Sequence, residues 1–192
     1  QLHFGEKHLS LPKPGHIGPH QQHNAALAAA ATQLAGLPIN EEAIHQGIRT
    51  ASWPARLQPL QFGPLAEAWQ GKGPVMLDGA HNPSAARILT EWLNGQQLKT
   101  TLLCGMMARK DPVSFLTPLA PHTRHLIAMP IPGEECHAPE IVAAAARSTG
   151  IAQVSIAANM KEAITLLTKE EAGILLVTGS LFFAGWLLKN HG

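Results

Sequence analysis

From residue 74 onward the chain alternates between two kinds of segment, and that alternation limits its fold more than any other feature. Apolar runs with strand composition fall at 75–78, 101–105, 125–129, 153–156 and 174–178. Helix-like segments lie between them at 83–94, 112–119, 138–148 and 160–169, and one at 181–190 closes the chain. Strands that alternate with helices pair in parallel, with right-handed crossovers that place helices on both faces. The expected fold class is α/β, a Rossmann-like open and mostly parallel sheet starting at about residue 73.

The N-terminal third has a different character. Residues 1–23 contain Pro12, Pro14, Gly15, Gly18 and Pro19, which exclude a continuous helix. His16, His20 and His23 have a spacing that would suit a metal on a helix, but Gly18 and Pro19 break it, so a solvated loop is expected. Residues 24–34 are alanine-rich and helical, with Gly36 past their end. Asn40, followed by Glu41 and Glu42, starts a second helix through about Arg49. A short extended run surrounds Leu60 and Phe62, and residues 70–74 form a turn. The domain expectation is a helical remnant of a preceding domain plus linker at 1–55 and the α/β domain at 56–192.

Composition narrows the function classes. A hydrophobic content of 45% with 14% charged residues describes a globular chain with a sizeable core. A net charge of +1 argues against nucleic acid or an acidic membrane as partner. The two cysteines, Cys104 and Cys136, fit a reduced compartment, with the cytoplasm as the default. Residues 172–188 carry no charge and approach the length of a membrane span. Thr178, Gly179 and Ser180 interrupt that run, so strand, turn and buried helix are expected instead. No secretory signal is visible after Gln1, where Glu6 and Lys7 follow at once, and the absence of an initiator methionine reads as a piece of a longer protein. A monomer acting on small molecules is the expectation.

Ligands of open parallel sheets gather at the carboxyl ends of strands, and here three such ends are polar. The first offers Asp78, His81 and Asn82, where a buried strand gives way to an acid, an imidazole and an amide. The second is Gly105-Met-Met-Ala-Arg-Lys-Asp111, and the last is Thr178-Gly-Ser180 at a helix N-terminus that suits an anion. Each has a plain alternative: Asp78 bonding turn amides, His81 capping a helix, Arg109 and Lys110 as a solvated pair, Ser180 as an N-cap. Their coincidence at one sheet edge points to a site for an acidic or phosphorylated small molecule. Asp78 suits sugar hydroxyls, and its burial is expected to serve a ligand and not the core. No nucleophile has a base beside it, so no catalytic residue is assigned. Gly71-Lys-Gly-Pro74 lacks the spacing of a phosphate-binding loop, and no GxGxxG follows any strand. The domain is therefore not expected to cradle a triphosphate alone.

Leu77-Asp-Gly-Ala-His-Asn-Pro83 resembles the C-terminal-domain signature of folylpolyglutamate and dihydrofolate synthases, relatives of the Mur ligases. Matches in the same order run along the whole chain. His20-Gln-Gln-His-Asn-Ala-Ala26 resembles the family's HQxxNA helix start, and Trp53-Pro-Ala-Arg-Leu-Gln58 its WPGRLE/Q linker. Residues 105–111 resemble its G-M-x-x-D-K-D turn, and Val177-Thr-Gly-Ser-Leu181 its final strand. The resemblance implies a ligase that phosphorylates a pterin-linked carboxylate with ATP and lets the amine of L-glutamate displace the phosphate. It implies ATP and Mg²⁺ as cofactors, with the P-loop, most magnesium ligands and much of the folate site in an ATPase domain largely outside these 192 residues. Residues 1–55 would then be that domain's tail, and no metal site is expected here.

Carried over position by position, Asn24 would approach the adenine, Arg56 the ATP phosphates and Asp78 the ribose. His81 would contact nucleotide or glutamate, and Ser180 would sit near the incoming glutamate. Two departures stand out: Ala55 replaces a glycine, and Ala108-Arg109 replaces an acidic entry to Lys110-Asp111. A non-catalytic nucleotide- or amino-acid-binding module would also explain the polar strand ends, though not the ordered motifs. A muramyl-peptide ligase fragment shares the domain logic with another acceptor.

Overall fold

The computed structural model describes residues 2–4, 7–15, 18 and 20–191. The chain divides into two compact units, Gln1–Arg56 and Leu57–Gly192.

In the first unit, β1 (Leu2–Phe4) and β2 (Lys7–Leu9) form an antiparallel pair with Leu2 opposite Leu9. These strands stand where the sequence predicts a loop, because three-residue strands show too little alternation to detect. Helix α1 (His20–Leu34) starts four residues before the expected 24. Gly18 adopts φ 112°, and Gln21 N–H donates back to Gly18 O, so the helix is already turning at His20. The metal and loop readings of His16 fall outside the described residues. Helix α2 (Glu41–Thr50) begins as expected, with Asn40 Oδ1 accepting from Ala43 N at 2.8 Å. Ala29, Ile44 and Ile48 form this unit's small core, with Leu11 and Ala25 against it.

The second unit runs β3 (Gln58–Pro59), α3 (Pro64–Ala68), β4 (Val75–Leu77), α4 (Pro83–Asn94), β5 (Thr100–Cys104) and α5 (Pro112–Leu116). It continues β6 (Thr123–Ala128), α6 (Pro139–Ser148), β7 (Gln153–Ile156), α7 (Met160–Leu167), β8 (Ile174–Thr178) and α8 (Leu181–His191). The six strands make one sheet in the order β3-β4-β8-β5-β6-β7. Every neighbouring pair from β4 to β7 is parallel, as the alternation requires. The exception is β3, an antiparallel edge strand pairing Gln58 with Leu77. An edge tolerates Pro59, which cannot donate to a ladder.

Side-chain parity sorts the core into two layers. Met76, Leu102, Cys104, Leu126, Ala128 and Leu176 face one way and pack with Leu89, Leu93, Phe115 and Val142 from α4, α5 and α6. The opposite parity, with Leu77, Leu103, Ile127, Leu175 and Val177, is equally buried. On that side α3 packs against α7, and α8 against β8. Trp69, wholly buried, closes α3 by donating Nε1–H to Gly173 O at 3.1 Å. Burial pushes the Cys104 thiol up to about 12. The uncharged stretch 172–188 is strand, turn and helix, and no helix among the described residues is long and apolar enough to cross a membrane.

Candidate functional site

The sheet order puts β4, β8 and β5 side by side, so the three polar strand ends noted in the sequence are neighbours. Backbone bonds stitch them together. Asp78 N donates to Val177 O, Gly179 N to Ala80 O at 2.9 Å, and Gly105 N to Thr178 O at 3.3 Å. Gly179 has φ 107°, and a β-carbon there would stand 2.5 Å from Gly105 O. Only glycine allows so close an approach of the two loops.

Asp78 is 8% exposed, and both of its oxygens serve the backbone. Oδ1 accepts from Ala80 N and Oδ2 from Leu57 N, each at 2.8 Å. The expectation that its burial serves a ligand and not the fold is corrected here: the carboxylate ties the β4 turn to the start of β3. Asn82 is the N-cap of α4, accepting from Ala85 N at 2.9 Å. His81 lies between them, with Nδ1 donating to Gly79 O at 2.8 Å. A carbonyl only accepts, so this bond places the hydrogen on Nδ1 and leaves Nε2 as the acceptor of the neutral ring.

The turn after β5 is braced from the 131–137 segment. His137 Nε2 donates to Lys110 O at 2.8 Å, His137 N to Met106 O at 2.8 Å, and Ala108 N to Glu135 O at 3.2 Å. Asp111 caps α5, accepting from Val113 N, Ser114 N and the Ser114 hydroxyl. The Ser114 hydroxyl bond, followed by the amides, holds its carboxyl below the usual range. Arg109 and Lys110 make no ion pair among the described residues. At the third strand end Ser180 is buried, and its Oγ accepts from Phe182 N at 3.0 Å, capping α8.

These pieces surround a cavity of about 430 Å³, with His81, Arg109, Lys110 and Ser180 as its polar wall and Met107 and Phe182 among its apolar wall. A concave site with convergent polar groups and an apolar lining is what a small, charged ligand needs. His81 and Ser180, predicted as site residues, come together here; Asp78 supports the wall and does not line it. Arg109 and Lys110 were not in the predicted set. The sequence placed them on one of the three polar strand ends and in the segment that resembles the family's G-M-x-x-D-K-D turn, but two adjacent cations there read equally well as solvated charge.

Asn24 and Arg56 belong to the first unit. Asn24 Nδ2 donates to Gln21 Oε1 at 3.1 Å, and the residue lines an apolar cavity of 380 Å³ with Ala25, Ala28, Ile44 and Ile48. Arg56 follows Ala55, whose φ is 56°, and donates Nη1–H to Ala55 O at 3.2 Å. Among the described residues no group of three or more His, Cys, Asp or Glu could hold a metal ion.

Residues 61–190 match the family model for the dihydrofolate synthetase C-terminal domain. A probable bifunctional folylpolyglutamate synthase/dihydropteroate synthase of Halobacterium salinarum is 32% identical over 86% of this chain and 19% of its own. The dihydrofolate synthase/folylpolyglutamate synthase of Bacillus subtilis is 28% identical over 91% of this chain and 40% of its own. Among solved structures, a bifunctional folylpolyglutamate synthase/dihydrofolate synthase with Mn, AMPPNP and L-glutamate bound superimposes with a TM-score of 0.75 at 26% identity, covering 96% of this chain and 42% of that one. Mycobacterium tuberculosis folylpolyglutamate synthase complexed with ADP and AMPPCP gives 0.77 at 24% identity over 92% and 41%, a likeness of fold alone. The chain thus spans between 19% and 40% of the length of these two curated relatives.

Proposed function

Since the chain belongs to the dihydrofolate synthetase C-terminal domain family, we propose that it is the C-terminal part of an ATP-dependent ligase that joins L-glutamate to dihydropteroate or a tetrahydrofolate. The observation that carries this reading is the cavity where three strand ends meet, with two unpaired cations, an imidazole acceptor and a serine hydroxyl on one wall. Cations with no ion-pair partner among the described residues suit a dicarboxylate, and charge-assisted bonds to such groups are among the stronger ones. The bifunctional folylpolyglutamate synthase/dihydrofolate synthase it resembles was solved with Mn, AMPPNP and L-glutamate bound, which supports the same ligands here.

In this reading residues 1–55 are the tail of the ATPase domain with its linker, and 56–192 the glutamate ligase domain. Asn24 faces the adenine, and Arg56, carried on the linker, reaches the ATP phosphates as a planar fork. Asp78 holds the turn that meets the ribose, through its bonds to Leu57 N and Ala80 N. His81 and Ser180 contact the glutamate. ATP supplies the phosphoryl group that activates the carboxylate. The reading places Mg²⁺ with the P-loop of the ATPase domain, and among the described residues no group of three or more His, Cys, Asp or Glu could hold a metal ion. The enzyme is cytoplasmic and monomeric, and takes part in folate-dependent one-carbon metabolism.

The test is ADP release by the complete ligase chain carrying these residues. ADP formation that requires both L-glutamate and dihydropteroate or a tetrahydrofolate is expected. ADP formation indifferent to every pterin carboxylate, but driven by a muramyl peptide precursor, would overturn the folate reading.

A further inference from the structure

The amino acid acceptor arrives as an ammonium ion, which has no lone pair with which to attack. Some group has to take a proton before the new amide bond forms. We propose that His81 Nε2 is that group, which makes His81 a catalytic residue as well as a ligand contact. The proposal rests on the ligase reading above and deepens it.

An inventory of the cavity wall leads to this atom. Arg109 and Lys110 are donors only. Met107 and Phe182 offer no base, and no Asp or Glu lines the cavity. Ser180 Oγ already accepts from Phe182 N at 3.0 Å. His81 Nε2 remains, with no partner among the described residues. Its availability is built in: Nδ1 donates to Gly79 O at 2.8 Å, which fixes the tautomer that presents the Nε2 lone pair. Gly79 O belongs to the turn that Asp78 and the Gly179–Ala80 bond hold in place. The charge pattern sorts the ligand's ends. Carboxylates are drawn to Arg109 and Lys110, and the ammonium is repelled from both cations, which leaves the imidazole as its acceptor.

The step balances without a further reagent. His81 Nε2 takes one proton from the ammonium, and the freed nitrogen lone pair attacks the acyl carbon. The bond from that carbon to the phosphate oxygen breaks, inorganic phosphate leaves with the bonding pair, and the amide sheds its second proton to solvent.

Two nucleophiles separate this role from simple positioning. Hydroxylamine is already neutral near pH 7 and needs no base, so it traps an acyl phosphate as a hydroxamate. The variant is His81→Asn, whose amide N–H can replace the Nδ1 donor to Gly79 O while supplying no base; His81→Ala is the second. In the complete ligase with ATP and its pterin carboxylate, amide formation with saturating L-glutamate is expected to fall about 10²-fold or more, the usual range for general base catalysis. Hydroxamate formation is expected to stay at the wild-type rate, with thermal melting checked for each variant. Equal loss of both products, or of neither, would overturn the base role. A wild-type enzyme that yields no hydroxamate with any pterin carboxylate would overturn the acyl phosphate reading itself, and this proposal with it.

Discussion

Two residues around Arg56 share a backbone conformation and have opposite fates on substitution. Ala55 has φ 56° and Leu57 φ 45°, the left-handed region that disfavours side chains. The family linker that this segment resembles has glycine where Ala55 stands. Relieving the left-handed strain is worth roughly 1–2 kcal/mol. Against it stand the methyl buried at 3% exposure and the added freedom of the unfolded chain, about 0.4–1 kcal/mol. Ala55→Gly is therefore expected to stabilise by up to about 1 kcal/mol. Leu57→Gly gains the same relief but removes a side chain 2% exposed in the main core, a loss of roughly 2–5 kcal/mol, so it is expected to destabilise. Urea titration of the two variants checks the signs, and a destabilised Ala55→Gly would contradict the strain argument. At this scale the sequence showed Asp78, His81 and Ser180 because the strand-end rule selects them. It did not show that Asp78 spends both oxygens on Leu57 N and Ala80 N, since the first partner lies 21 residues earlier, just before β3. Nor did it separate Arg109 and Lys110 from surface charge, which requires the bond from His137 to Lys110 O.

Elements hold one another through a polar network on the sheet face that carries Leu103 and Ile127. His125 of β6 is 1% exposed, and its Nδ1 donates to Glu170 Oε1 at 2.9 Å while Nε2 bonds Ser155 Oγ of β7 at 2.9 Å. Thr101 of β5 donates to Glu170 Oε2 at 3.3 Å, and Arg124 Nη2 stands 3.6 Å from the same oxygen. One carboxylate thus joins β5 and β6 directly, and β7 through His125. Glu170→Ala would leave the His125 and Thr101 donors buried and unpaired, at about 1–3 kcal/mol each. Glu170→Gln keeps an acceptor of the same shape and is expected to cost less than half as much. Denaturation midpoints of the two variants decide this, and equal losses would show that charge, not acceptor geometry, dominates. The strands themselves were legible because each apolar run ends at a turn signal and is followed by a helix. The β1–β2 pair and β3 were not, because strands of two or three residues carry too few positions for a period of two to show.

For the whole molecule, the ligase reading turns on what phosphoryl transfer requires. Phosphoryl transfer needs a cradle of backbone amides with a lysine on the β- and γ-phosphates, and a metal bridging them. The turn Gly71-Lys-Gly-Pro74 has neither the spacing nor the amide at its last position, and Gly73 lies at φ 142° between α3 and β4, not at a helix start. The cavity at the sheet edge can hold an acceptor and guide its proton, but these residues give the donor carboxylate no means of activation. Folding is a separate matter. The second unit buries a two-layer core, whereas the first has three buried side chains in its core cluster, and so little apolar area seldom supports independent stability. The 192-residue chain is therefore expected to show a cooperative transition from residues 57–192 and no ligase turnover. Purified protein incubated with ATP, Mg²⁺, L-glutamate and dihydropteroate should release no ADP above an enzyme-free blank. Dependence of any released ADP on both L-glutamate and dihydropteroate would show that these residues activate the carboxylate themselves, and would remove the need for a P-loop outside them.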